Sequence, residues 1–280
     1  MTATALRHAS PNEPALLARP AVIEVRDLDA HYGGTQVLFG LNLTVHEGEI
    51  MVIMGGSGSG KSTLLRHLIG LERPRAGTIR LLGRDITAMG SMEMLAMRRR
   101  MGVAFQGGAL FSSMTVAENI KLPLREHGDL DEKTMDIVAR LKLEVVNLAG
   151  FGGLMPSELS GGMLKRAAVA RAIVMDPKLL FFDEPSSGLD PAVSAALDEL
   201  ILRLRDAMDM TIVVVTHEVA SALKIADRIA IVDRGRIVEV GTVAAVQESG
   251  NARVQDLLNR RPVEQEIDPA DYLRRLTGSG

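Results

Sequence analysis

The 280-residue sequence contains no cysteine and no tryptophan, and aromatic residues make up only 3% of it. Without thiols there is no disulfide, no cysteine-ligated zinc and no cysteine nucleophile, a composition suited to a reducing compartment. No apolar run approaches the ~18–20 residues needed to cross a bilayer. The opening stretch, MTATALRHASPNEPALLARP, lacks the continuous apolar segment of a secretory signal. Residues 1–20 read as a flexible leader, and any membrane role is expected to come through a partner. The net charge of −3 gives no drive toward nucleic acid. Arg98, Arg99 and Arg100 form a local basic spot of the kind that ends a solvated helix. No internal repeat occurs, and no N-K-x-D motif of the kind that reads guanine.

What is present is a globular composition, 46% apolar and 24% charged. From Ala21 the alternation in AVIEVRDL and TQVLFGLNLTV, split by HYGG, predicts an antiparallel β layer leading into a buried strand at Ile50 to Met54. A glycine loop and a helix, KSTLLRHLIGL, follow, and TIRLLG reads as a further strand. Residues from about 86 to 175 show helical spacing broken by glycine loops, which predicts a helical section inserted into the core. Two apolar strands, KLLFF and TIVVVT, then flank the helix AVSAALDELILRLRDAM. Such alternation predicts an α/β fold with a mostly parallel sheet covered on both faces. RIAIVDRGRIVEVG reads as a closing hairpin.

The stretch Gly55-Gly56-Ser57-Gly58-Ser59-Gly60-Lys61-Ser62 fits G-x-x-x-x-G-K-S. Its glycines let backbone N–H groups converge on a phosphate at the start of the next helix. Lys61 is placed to reach the β- and γ-phosphates, the Ser62 hydroxyl to coordinate Mg²⁺, and Thr63 to contact the α-phosphate. KLLFFDEP supplies the acids such a site needs. The chain turns at the end of that strand, so Asp183 can hold Mg²⁺ through water while Glu184 orients and deprotonates the attacking water. A second glycine pair, in SELSGGMLKR, opens another helix and offers a second set of phosphate donors.

With FQGGALF, LSGGM, SSGLDP and VVVTHE following in order, the chain resembles the ATP-binding subunits of ABC transporters over about residues 21–245. The resemblance implies a P-loop, RecA-like core within residues 21–247, carrying the helical subdomain, and a C-terminal tail over 248–280. It implies a head-to-tail homodimer in which Ser160, Gly161 and Gly162 cap the γ-phosphate held by the other copy's loop. Met163 stands where many relatives have Gln. It also implies that Gln106 senses Mg²⁺ and the γ-phosphate, and that Asp190 lies across the dimer interface. His217 contacts the γ-phosphate, and Tyr32 stacks on adenine. ATP and Mg²⁺ are the implied cofactors, and a multi-pass permease the implied partner.

The stretches GALFSSMTVAENIKLPLREH, PSELSGGMLKRAAVARAI and THEVASALKIADRI are most similar to ATPases of Mla/MCE-type lipid transporters. That likeness implies phospholipid movement across a bacterial envelope, with an MCE-domain lipid-binding protein and a STAS-domain protein as further partners. It places the chain in the cytoplasm, on the inner face of the inner membrane. The ATPase of a polar-solute importer, or a non-transport ABC protein acting on DNA or ribosomes, remains an alternative. Met89, Met92, Met94, Met97, Met101 and Met114 suit either an adaptable groove or core filling. Val254, Leu257 and Leu258 share a helical face, suited to packing on a partner or on the chain itself.

Overall fold

A computed structural model describes residues 13–32 and 34–259. The first part of the expected leader, Gly33 and the tail from residue 260, with its DYLRRL stretch, lie outside the described residues. Part of the leader is docked rather than flexible. Helix α1 (Glu13–Leu17) buries Leu16 to 1% exposure.

Strands β1 (Ala21–Tyr32) and β2 (Thr35–His46) pair antiparallel, β3 (Ile50–Met54) follows, and α2 (Lys61–Leu68) opens after a glycine loop. Next come β4 (Ala76–Leu81), β5 (Arg84–Asp85), α3 (Ser91–Arg98) and β6 (Met101–Ala104). Helices α4 (Val116–His127), α5 (Glu132–Val145) and α6 (Gly161–Ala172) form the helical section. The chain then alternates through β7 (Leu179–Asp183), α7 (Pro191–Met208), β8 (Thr211–Thr216) and α8 (Val219–Ile225). It closes with β9 (Arg228–Asp233), β10 (Arg236–Thr242), α9 (Val243–Gln247) and α10 (Ala252–Leu258).

Two sheets result, ordered β2-β1-β4-β5 and β10-β9-β3-β8-β7-β6. The first is antiparallel, and the second is parallel except for β10 at its edge. One expectation fails here. Met101–Ala104 falls inside the span expected to be helical, yet it pairs with β7 as the sheet's edge strand. Four residues with a glycine are too short to show a period of two, and Arg98–Arg100 before them extend the helical pattern.

Successive side chains on a strand point to opposite faces, and the parallel strands use this to build two cores. Ile50, Val52 and Met54 of β3 enter one, with Leu180, Phe182, Ile212 and Val214. Met51 and Ile53 enter the other, with Phe181, Val213 and Val215. The first core is closed by α4 to α8, the second by the antiparallel sheet with α2 and α3. Each large side chain so buried contributes about 1.5–3 kcal/mol. Four of the six methionines are core residues: Met89, Met94, Met97 and Met101 are at most 9% exposed, whereas Met92 is 78% exposed. The described part of the tail, up to residue 259, turns back on its own chain. Val254 is fully buried in the first core, with Leu257 and Leu258 packed against it.

Candidate functional site

The site lies at the C-terminal ends of β3, β8 and β7, three neighbours in the parallel sheet. Chain direction aims the helix N-terminus after each strand at this edge, where unpaired N–H groups accumulate. Gly55–Gly60 link β3 to α2, so Lys61, Ser62 and Thr63 form the first helical turn. Lys61 is buried, and its Nζ donates to the carbonyls of Gly55 and Gly56, both at 2.9 Å. Burial pushes its pKa down, against the pull of Glu184 and Asp183. Ser59 Oγ is buried without a partner. The loop is tied to the closing hairpin, since Gly235 N donates to Ser59 O at 2.9 Å.

The two acids diverge as the turn requires. Asp183 ends β7, and Glu184 adopts a left-handed backbone (φ 47°) while its N–H donates to Val215 O at 2.8 Å. Such a conformation costs of the order of 1–3 kcal/mol for a side-chain-bearing residue. It swings the Glu184 carboxylate toward β8. There Thr216 Oγ1 donates to Glu184 Oε2 at 3.2 Å, and His217 Nδ1 lies 2.9 Å from Oε1. Burial, then Glu184, push the Asp183 carboxyl up from its ordinary value, while Lys165, Lys61 and Arg66 pull it back. A half-buried acid pair so placed favours a cation. Ser62, Asp183 and Gln106, the residues expected to hold Mg²⁺, carry hard oxygen donors of the kind that suit it.

Gln106 follows β6, next to β7, and its Nε2 donates to Ser187 Oγ at 3.2 Å. Its backbone oxygen accepts from Lys165 Nζ. Tyr32 sits at the β1–β2 turn opposite Thr35 and is 62% exposed, an aromatic face open to a flat ring.

The remaining residues stand apart from this group. Ser160 is the N-cap of α6, accepting from Met163 N at 3.3 Å, and Asp190 is the N-cap of α7, accepting from Ala192 N and Val193 N, both at 3.1 Å. Gly161 and Gly162 approach Leu189 and Val193, and α6 packs on α4, α5, α7 and β6.

Two polar groups of the site were not singled out in the sequence. Thr216 lay in plain view inside VVVTHE. Asn119, completely buried, looked like one more polar residue on a helix. Its side chain accepts from Phe111 N at 2.7 Å and donates to the carbonyls of Phe111, Met114 and Thr115, holding the loop that follows Gln106.

Fold and site together define a nucleotide-binding α/β protein with a phosphate loop at the C-terminal edge of a parallel sheet. The ABC transporter family model matches residues 38–187. The chain is 41% identical over 258 residues to the intermembrane phospholipid transport system ATP-binding protein MlaF of Haemophilus influenzae, covering 91% of this chain and 98% of that one. Identity to the same-named protein of Escherichia coli K12 is 42%, covering 90% and 94%. It is 39% to the "Probable ribonucleotide transport ATP-binding protein mkl" of Mycobacterium leprae, covering 86% and 70%. Among solved structures, a dimeric bacterial ABC transporter cassette is similar with TM-score 0.73 and 30% identity, over 79% of this chain and 98% of that one. The same cassette in a post-hydrolysis dimer bound to ADP and Pi has TM-score 0.72 and 28% identity, over the same shares. The chain belongs to the ABC transporter family and is an ATP-binding subunit that hydrolyses ATP. Such cassettes form dimers and work with a membrane permease. Among the described residues no helix is long and apolar enough to cross a membrane.

Proposed function

We propose that this chain powers phospholipid movement across a bacterial cell envelope, as a homodimer docked on the cytoplasmic face of an inner-membrane permease. The observation carrying the cargo is the 41% identity to a phospholipid-transport ATPase over nearly the whole length of both chains. An MCE-domain protein to carry the lipid and a STAS-domain protein complete the expected assembly.

The chemistry follows from the site. Backbone N–H groups of Gly55 to Thr63 and the Lys61 ammonium grip the phosphates, and Lys61 exchanges its two carbonyl partners for phosphate oxygens. Tyr32 stacks on the adenine. Ser62, Gln106 and Asp183 hold Mg²⁺, which neutralises phosphate charge when bound. Glu184 accepts the proton of the attacking water, with Thr216 and His217 fixing its carboxylate. His217, more than half exposed, reaches from there toward the γ-phosphate.

Ser160, Gly161 and Gly162 of each copy cap the γ-phosphate bound by the other, with Asp190 beside them at the interface. Both copies carry complete motifs, so both sites hydrolyse. ATP bridges the two surfaces, and splitting off the γ-phosphate removes the bridge. The helical section, α4 to α6, moves with opening and closing and passes the motion to the permease.

The test is to purify the Glu184→Gln protein with ATP from membranes in mild detergent and identify the proteins and lipids that accompany it. An MCE-domain protein, a permease and phospholipid are expected. The mycobacterial relative favours a second reading, with a ribonucleotide as cargo. A permease that brings no lipid and stimulates hydrolysis only with ribonucleotide present overturns the lipid assignment.

A further inference from the structure

Helix α6 carries two cations that both reach the loop after β6. Lys165 Nζ donates to the backbone oxygen of Gln106 and, at 3.2 Å, to that of Glu184. Six residues on, Arg171 Nη1 donates to Ala109 O at 2.7 Å and Nη2 to Gly108 O at 3.0 Å. Between them, Gly108 lies against Leu164 and Ala168, where an added Cβ would find atoms at 3.5 and 3.7 Å. The loop from Gln106 to Ala109 therefore rides on α6, gripped at both ends.

Lys165 is the telling member. A lysine offers three donors on a flexible stem, and this one joins two segments that the chain separates widely, the loop holding Gln106 and the strand end holding Glu184. Burial works against its charge, while Glu184 and Asp183 favour it. The N-terminus of the same helix is Ser160-Gly161-Gly162. Five residues of α-helix span only about 7.5 Å, so a shift at that end is transmitted rigidly to Lys165.

We propose that Lys165 is a positioning residue that couples the two ATP sites of the dimer. Through α6, engagement of Ser160, Gly161 and Gly162 with the other copy's ATP sets the backbone of Gln106 and Glu184 in Lys165's own site. This rests on the dimeric reading above and adds to it a residue and a route.

The experiment measures ATP hydrolysis against ATP concentration for the full-length wild type, Lys165→Met and Lys165→Arg, with thermal melting of each. Lys165→Met is expected to lower kcat by at least roughly tenfold with KM little changed. It is also expected to bring a Hill coefficient above 1 in the wild type down to about 1. Lys165→Arg, which keeps the charge and donors, is expected to restore most of kcat and the cooperativity. If Lys165→Met no longer melts cooperatively, Lys165→Gln replaces it, with the same expectation. Unchanged kcat and Hill coefficient, a non-cooperative wild type, or a failure of arginine to rescue overturns the proposal. A wild type that neither binds nor hydrolyses ATP sinks the dimeric ATPase reading, and this proposal with it.

Discussion

His217 Nδ1 donates to Glu184 Oε1 across 2.9 Å, joining the residues just past the ends of the neighbouring strands β7 and β8. The contact locks one carboxylate oxygen, while Nε2 of the imidazole lies 3.7 Å from Glu218 Oε1. Replacing Glu184 with Gln is expected to reduce phosphate release by about 10²–10⁴-fold while ATP still binds and still drives dimer formation. Rapid-quench phosphate assays beside size-exclusion with ATP check both halves. Hydrolysis at the wild-type rate in Glu184→Gln would remove this residue from the mechanism.

Gly162 is pressed against Val193. A Cβ at Gly162 would lie 2.5 Å from Val193 Cγ1, so α6 leaves no room for a side chain against α7 here. Gly162→Ala is expected to cost about 1–3 kcal/mol through overpacking and to slow hydrolysis. Trimming the neighbour in Gly162→Ala/Val193→Ala removes the clashing methyl and should recover stability. Urea melts of the single and double variants decide it, and a double variant no more stable than Gly162→Ala counts against the close approach.

The turn between β9 and β10 braces the phosphate loop. Gly235 (φ 75°) donates to Ser59 O and accepts from Phe39 N at 3.0 Å, and a Cβ there would sit 1.9 Å from Val37 O. Gly235→Ala therefore combines a left-handed strain of ~1–2 kcal/mol with a backbone clash. Lower thermal stability and a raised KM for ATP are expected together. A destabilised protein with unaltered KM would show that the turn does not support the loop.

Asn119 satisfies both polar groups of Phe111 with one side chain. Asn119→Ala takes the acceptor from the Phe111 N–H and removes the bonds to the carbonyls of Phe111, Met114 and Thr115, together worth about 1–3 kcal/mol. Denaturant titration should register a loss in that range. Hydrogen exchange should rise at residues 111–115, and protection equal to wild type there would contradict the role given to Asn119.

Much of the site was legible because its chemistry is written in contiguous residues. Gly55 to Thr63 and Asp183-Glu184 each follow an apolar strand that announces where they sit. The helix start in SELSGGMLKR was equally readable, since a capping side chain bonds within three residues, whereas the cap at Asp190 was not read. The leader was read as flexible, and the shared face of Val254, Leu257 and Leu258 was read without deciding between a partner and the chain itself as what it packs on. The burial of Leu16 and Val254 depends on surfaces built by distant parts of the chain.

What the sequence alone determined is the inventory: a phosphate loop, an acid pair, a second glycine pair, and strands apolar enough to be buried on both faces. Strand-length apolar runs and glycine turns are local properties, and local properties survive in one dimension. Tertiary structure alone decided that Met101–Ala104 pairs as the sheet's edge strand and that Glu184 turns to meet Thr216 and His217. It also decided that Lys165 spans 59 residues to reach Gln106. Those contacts arise from the order in which strands stack and helices cover them. No periodicity within a strand or helix carries that order, because it is set by how whole elements bury their apolar faces against one another.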